Sequence, residues 1–219
     1  MADTKTIVCL ANSRRSGNYC VAGKEILGDG RYGEWIRPVN SQNYDNAISP
    51  EDMQLADGGQ PKLLDVISIP LLEHVPEQSH QPENYQIDNS QPWTKQGVLD
   101  KQELPALVDE AYDIWRIRRS TKTDRVWESC INEVNQSLLL IRPESLTINA
   151  SGWKVRANFR YNGEIYNMGV TDPEAESRYA AKESVEIATD RVYLCLSIAA
   201  NPFRSSYYKL VAAIIGDTD

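Results

Sequence analysis

"WKVRANFRYNGEIYNMGV", residues 153–170, decides the fold class. Asn162-Gly163 is a two-residue hairpin signal, because both positions of a type I′ turn need positive φ. A turn there pairs Tyr161 with Glu164, Phe159 with Tyr166, Ala157 with Met168 and Val155 with Val170. The alternate set pairs Arg160 with Ile165, Asn158 with Asn167, Arg156 with Gly169 and Lys154 with Thr171. A period of two then sorts both strands: one face is apolar and enters a core, the other is polar and meets water. Trp153, Phe159 and Tyr161 belong to the inward set. Lys154, Arg156 and Arg160 belong to the outward one, with Asn158 and Asn167.

The rest of the chain reads in the same idiom. Short apolar runs rich in β-branched residues predict strands near 5–11, 19–27, 34–39, 63–74, 137–142, 145–149, 191–199 and 207–215. Runs 63–74 and 207–215 are apolar on both alternating sets, including Leu64, Val66 and Leu72, which predicts strands buried on both faces. "VTDPEAESRYAAK" starts a helix, with Thr171 or Asp172 as cap, Pro173 in the first turn and Glu174 and Glu176 at the positive end of the dipole. A second helix is expected within 103–115, and the Pro- and Gln-rich segment 76–97 reads as an irregular connection. "WIRPV" at Trp35–Val39 is echoed by "LIRPE" at Leu140–Glu144, as two similar β units would produce.

Composition narrows function. The chain has 219 residues, 41% hydrophobic and 25% charged, ordinary values for a globular protein with enough mass for its own core. No apolar run is long enough to span a membrane and MADTKT holds no apolar leader, so a cytoplasmic setting is expected. Cys9, Cys20, Cys130 and Cys195 form no CxxC pair, and Cys9, Cys20 and Cys195 lie in apolar runs, which predicts reduced thiols. His74 and His80, with Glu73 and Glu77, have no metal-ligand spacing. "GDGRYG" at Gly28–Gly33 carries the dinucleotide-binding glycines, but "EWIRPVN" follows where that motif needs a helix; it reads as a tight turn. Neither a metal nor a cofactor is expected, and no catalytic set assembles from two histidines in one loop.

Net charge is −8, yet charge is segregated. Arg14 and Arg15 share a Ser/Asn/Gly loop between the first two strands, with Lys24 nearby. "RIRRSTKTDR" at 116–125 holds Arg116, Arg118, Arg119 and Lys122. Residues 145–163 hold Lys154, Arg156 and Arg160 and no acid. Acidic residues collect elsewhere, so local potential leaves a polyanion partner open.

"VCLANSRRSGNYCVAGKEI", "GEWIRPV", "LDVISIPLLEH" and "LCLSIAANPFRSSYYKLVAAII" together resemble the prokaryotic dual OB-domain proteins, a family whose members often accompany conflict or defence genes. The resemblance spans most of the chain and is thinnest over 76–136. It implies an all-β chain of two OB-like β-barrels with one or two short helices, and it supplies no catalytic residue. The corresponding domains are a first barrel over 1–97, a connecting segment over 98–136 and a second barrel over 137–219. OB barrels commonly bind oligonucleotides through the loop between strands 1 and 2 and through the face of strands 2 and 3. The expected function is therefore a non-enzymatic module binding nucleic acid, single-stranded or structured. Its contacts are Arg14, Arg15, Lys24, Arg116, Arg118, Arg119, Lys122, Lys154, Arg156 and Arg160, with Tyr19, Tyr32 and Tyr44 as stacking platforms. The alternatives are a protein-interaction adaptor whose acidic surfaces take a basic partner, and a sensor of a small ligand such as a nucleotide.

Overall fold

The hairpin expected from residues 153–170 forms over Lys154–Val170. In the computed structural model, which describes residues 3–15, 17–76, 80–115, 124–152 and 154–216, six pairs from Arg156–Gly169 to Tyr161–Glu164 match the expected register. Asn162 and Gly163 both take positive φ, 48° and 75°. Val155, Ala157, Phe159, Tyr166 and Met168 are buried, and Phe159 stacks across the pair on Tyr166 at 5.5 Å between ring centroids. Trp153 lies outside the described residues.

The chain is mostly β and divides into two units, Met1–Leu107 and Val108–Asp219. The first holds β1 (Asp3–Arg15), β2 (Asn18–Ile26), β3 (Tyr32–Val39), β4 (Asp65–His74), β5 (Asn84–Ile87) and β6 (Thr94–Val98). Pairings run β1–β2–β3–β5–β4 and return from β4 to β1; β3–β5 is parallel and β6 adds to β4. One long strand serves two partners: residues 3–8 of β1 pair with β4, and residues 7–15 pair with β2. A register shift between Cys9 and Ala11 supplies the bend this needs. Ile7, Cys9, Val21, Ile36, Ile67, Ile69 and Trp93 fill this unit's core. The "GDGRYG" segment is the β2–β3 turn, closed by Leu27 N donating to Arg31 O at 2.8 Å.

The second unit repeats the circuit with its first strand broken. It holds β7 (Arg125–Trp127), β8 (Leu138–Ile141), β9 (Ser145–Ser151), β10 (Lys154–Tyr161), β11 (Glu164–Val170), α1 (Pro173–Tyr179), β12 (Ser184–Ile187), β13 (Val192–Ile198) and β14 (Ser206–Gly216). The path is β9–β10–β11–β14–β13–β8, with β11–β14 parallel. Here β8 takes the partner that the first half of β1 takes, and β9 takes the other. Between them stands Arg142-Pro143-Glu144; Pro143 has no N–H to give a ladder, so the strand stops there and the pairing path stays open. β12 adds to β9 and β7 to β14. Asp172 caps α1 as expected, accepting Glu174 N and Ala175 N at 3.0 and 3.2 Å, and its second oxygen accepts Ile214 N at 3.1 Å. The cap thus also ties the helix to β14.

Four expectations need correction. Segment 76–97 is not irregular throughout: β5 and most of β6 lie in it. Residues 103–115 form no α-helix; a 3-10 helix spans Lys101–Leu107, with Pro105 inside it. The outer set of β4 is only partly covered, with Val66 half-buried and Leu72 exposed, whereas β14 is buried along most of its length. "WIRPV" lies in β3, while "LIRPE" ends β8 and forms the break after it, so the echo does not mark equivalent positions.

Candidate nucleic-acid interface

The expected contacts separate into three groups. Arg14 and Arg15 are not loop residues. They close β1, opposite Tyr19 and Asn18, so strand pairing fixes their backbone at the hairpin end; Arg14 is exposed and Arg15 half-buried. Lys24 is not beside them. It lies farther along β2, opposite Val8 and Trp35, about 16 Å from Tyr19 at the usual strand rise. Its ammonium sits 5.7 Å from the Trp35 ring centroid. The outward neighbours of Lys24 in the first unit, Val8, Leu10, Ala22 and Trp35, are buried. Arg116, Arg118, Arg119 and Lys122 lie outside the described residues.

The third group stands together. On the outward face of the second unit, register places Ser145 beside Arg160, Thr147 and Asn167 beside Asn158, Asn149 and Gly169 beside Arg156, and Ser151 beside Lys154. Amides and hydroxyls space the cations, which limits repulsion between them. Lys154 and Arg160 are exposed, and Arg160 Nη1 donates to Gly163 O at 3.2 Å. Arg156 is half-buried and held: it donates to the Asn167 side chain, to Asn167 O at 2.7 Å and to Asp124 Oδ2 at 2.9 Å. Its first role is to fasten the segment before β7 to this face.

From Asp124 the polar strip continues into residues the sequence reading did not single out. Asp124 Oδ1 accepts from Arg125 Nε at 3.4 Å, and the Arg125 guanidinium lies 5.2 Å from the Tyr208 ring centroid. Tyr208 faces Phe203 at 6.4 Å, and the Arg204 guanidinium lies 5.2 Å from the Phe203 centroid. Phe203 is 60% exposed and Trp127, two residues along β7 from Arg125, is 50% exposed. The β13–β14 connection thus ends in a tight turn, Phe203 N donating to Ser206 O at 2.8 Å and Ser206 N to Phe203 O at 3.2 Å. Arg204 and Ser205 hold φ of 51° and 57° there. Non-glycine residues in that region cost about 1–2 kcal/mol each, so the turn is held by its surroundings. Glu128 N donates to Ser205 O at 3.1 Å and β7 pairs with Ser206–Tyr208. The signals for this cluster were the Asn201-Pro202 turn pair followed by Phe-Arg, and the Arg-Val-Trp alternation about buried Val126.

The expected stacking residues of the first unit fare differently. Tyr19 is packed partly into the core, and the Tyr32 hydroxyl donates to Glu103 Oε2 at 2.6 Å; desolvation and that carboxylate push it up to about 12. Tyr44 is 78% exposed.

Two further features bear on chemistry. Lys209, on the inward set of β14, is buried, its ammonium donating to Ile114 O at 2.9 Å, and burial pushes its pKa down to about 8. Asp109, Glu110, Asp113 and Glu133 line a cleft of about 420 Å³ in the second unit. His74 bonds Pro82 O, and among the described residues no group of acids, cysteines and histidines is placed to hold a metal. Among them also, no helix is long and apolar enough to cross a membrane.

No curated protein matches the chain. Solved structures match over nearly its whole length at low similarity. They include a murine DNA-binding protein bound with double-stranded DNA, at 8% identity and a TM-score of 0.32, covering 99% of this chain and 100% of that one. The Ifi202 HINa domain in complex with 20-bp double-stranded DNA matches at 11% identity and a TM-score of 0.33, covering 99% and 96%. Likeness this low says nothing about a ligand. The model of the dual OB-containing domain matches residues 5–214, and with it the two repeated strand circuits have their explanation: the chain belongs to the dual OB-containing domain family.

Proposed function

We propose that this chain is a non-enzymatic, cytoplasmic oligonucleotide-binding module, its two strand circuits acting as OB-like barrels. The outward face of β10 and β11 in the second unit is the main contact surface. One observation carries the reading: the strip from Lys154 and Arg160 through Arg156, Asp124 and Arg125 to Tyr208, Phe203 and Arg204 sets cations beside a half-buried tyrosine ring and an exposed phenyl ring. That combination suits a phosphate backbone and the bases it carries, and it lies on a strand 2–3 face and a strand 4–5 turn of the OB order. Arg14 and Arg15, at the strand 1–2 turn of the first unit, are a second phosphate-binding patch. The proposal extends to an accessory role in a prokaryotic defence system, a part that rests on the resemblance of the sequence to the prokaryotic dual OB-domain proteins alone.

The test is charge reversal. Lys154→Glu with Arg160→Glu should abolish binding of a labelled oligonucleotide at about 50 mM salt while leaving the melting temperature unchanged, since both side chains are exposed. The acidic cleft of Asp109, Glu110, Asp113 and Glu133 favours the adaptor reading instead. On that reading the double variant binds a basic peptide as the wild type does, and neither takes up oligonucleotide.

A further inference from the structure

We infer that the β13–β14 turn and β7 form a stacking site for unpaired nucleobases, so that the module takes single strands or frayed ends in preference to duplex. The inference rests on the oligonucleotide reading and specifies its substrate. Arg125, Tyr208, Phe203 and Arg204 form a row of two rings flanked by two guanidinium groups, with steps of 5.2, 6.4 and 5.2 Å. Trp127 adds a further exposed indole on the adjoining strand, opposite Ser206. Both Phe203 and Trp127 leave at least half their surface in water, and the two lie on either side of the β7–β14 ladder rather than scattered over the unit.

The turn is built rather than slack. Its hydrogen bonds to Ser206 and Glu128 and its ladder with β7 hold Phe203 and Arg204 at fixed places. Asn-Gly makes the same turn with less strain, as it does at Asn162-Gly163, because asparagine visits the left-handed region more readily and glycine has no Cβ. Here the chain keeps arginine at a left-handed position instead. At the place Asn162 holds in that hairpin, an arginine beside an exposed phenyl ring offers what asparagine lacks, a cation for a phosphate or a plane for a base, next to a ring that takes the neighbouring base. Ser206 Oγ, buried at the foot of the turn, has no hydrogen-bond partner among the described residues. Stacking requires the π-face of a base. In a duplex those faces are covered by neighbouring base pairs and only edges and phosphates are offered, so these rings gain nothing from intact double helix.

The experiment compares a labelled single-stranded 15-mer with the same sequence as a blunt duplex, using the full chain. The wild type should bind the single strand at least tenfold more tightly. Phe203→Ala should weaken single-strand binding about tenfold or more and leave duplex binding and melting temperature unchanged. Phe203→Leu, which keeps the apolar bulk without the π-system, should behave like the alanine variant and guards against a folding artefact. Equal affinity for both forms, with Phe203→Ala and Phe203→Leu indistinguishable from wild type, overturns the stacking site and leaves the oligonucleotide reading standing. Failure of the wild type to bind either form overturns both.

Discussion

Replacing Lys209 by methionine should make the protein's stability respond to pH differently, in a direction that its burial fixes. Lys209 is 1% exposed, and desolvation brings its pKa from 10.5 to about 8 against the opposing pull of Asp113 and Asp124. The unfolded chain keeps the ordinary lysine value. Below pH 8 both states carry the proton and the folded state bears the full cost of a buried ammonium. Between about 8 and 10.5 the folded state has released its proton while the unfolded state still holds one, so stability rises with pH. At 1.36 kcal/mol per pH unit the displacement amounts to about 3 kcal/mol. Lys209→Met removes it. The variant also leaves Ile114 O without its donor, a loss of about 1–3 kcal/mol that does not depend on pH. Cys9 and Tyr32, both pushed up to about 12 mainly by desolvation, lower stability at high pH in both proteins alike and cancel in the comparison. Urea unfolding of both proteins at pH 7, 8, 9 and 10 measures the difference directly. It should shift by about 2–3 kcal/mol toward the wild type as pH rises. A difference constant to within about 0.5 kcal/mol would refute the buried-ammonium account.

Three other outcomes follow from the packing. Arg37 and Glu83 form a buried pair at 3.0 Å beside the parallel β3–β5 ladder, so Arg37→Ala should cost about 3–5 kcal/mol in denaturant unfolding by stranding Glu83; a loss below about 1 kcal/mol would show the pair to be hydrated. Gly163 has φ of 75° and open space where a Cβ would stand, so Gly163→Val should cost about 1–2 kcal/mol through backbone conformation alone, read as a lower urea midpoint. In the folded protein a thiol reagent should modify Cys20 and Cys130 before Cys9 and Cys195, which are buried; prior reaction at Cys9 would contradict its placement in the core.

What the sequence made legible was local. The period of two in 153–170, with Asn162-Gly163 between its halves, contains register, turn type and facing without any long-range information. Asp172-Pro173 contains the start of α1 in the same way. β6 was illegible because Thr94–Val98 is largely exposed, an added edge strand with no apolar alternation to betray it. β7 is three residues long, shorter than any period can reveal. The site was legible where a single hairpin builds it, at Lys154, Arg156 and Arg160. It was not legible where tertiary pairing assembles it: Arg125 meets Tyr208 only because β7 joins β14, and Asp124 claims Arg156 from a distant part of the chain. Lys209 gave one overlooked clue, a lysine on the same alternating set as Tyr207 and Val211, both buried.

The salt dependence of oligonucleotide binding tests the central claim most directly. Each phosphate contact to a single strand contributes about −0.7 to the slope of log affinity against log salt. Exposed Lys154, Arg160 and Arg204 alone then give a slope near −2, a loss of roughly 18-fold in affinity between about 50 and 200 mM salt. A titration of the full chain with a labelled single strand at those two concentrations should show at least that loss. No binding at about 50 mM, or an affinity that does not change with salt, would contradict the account.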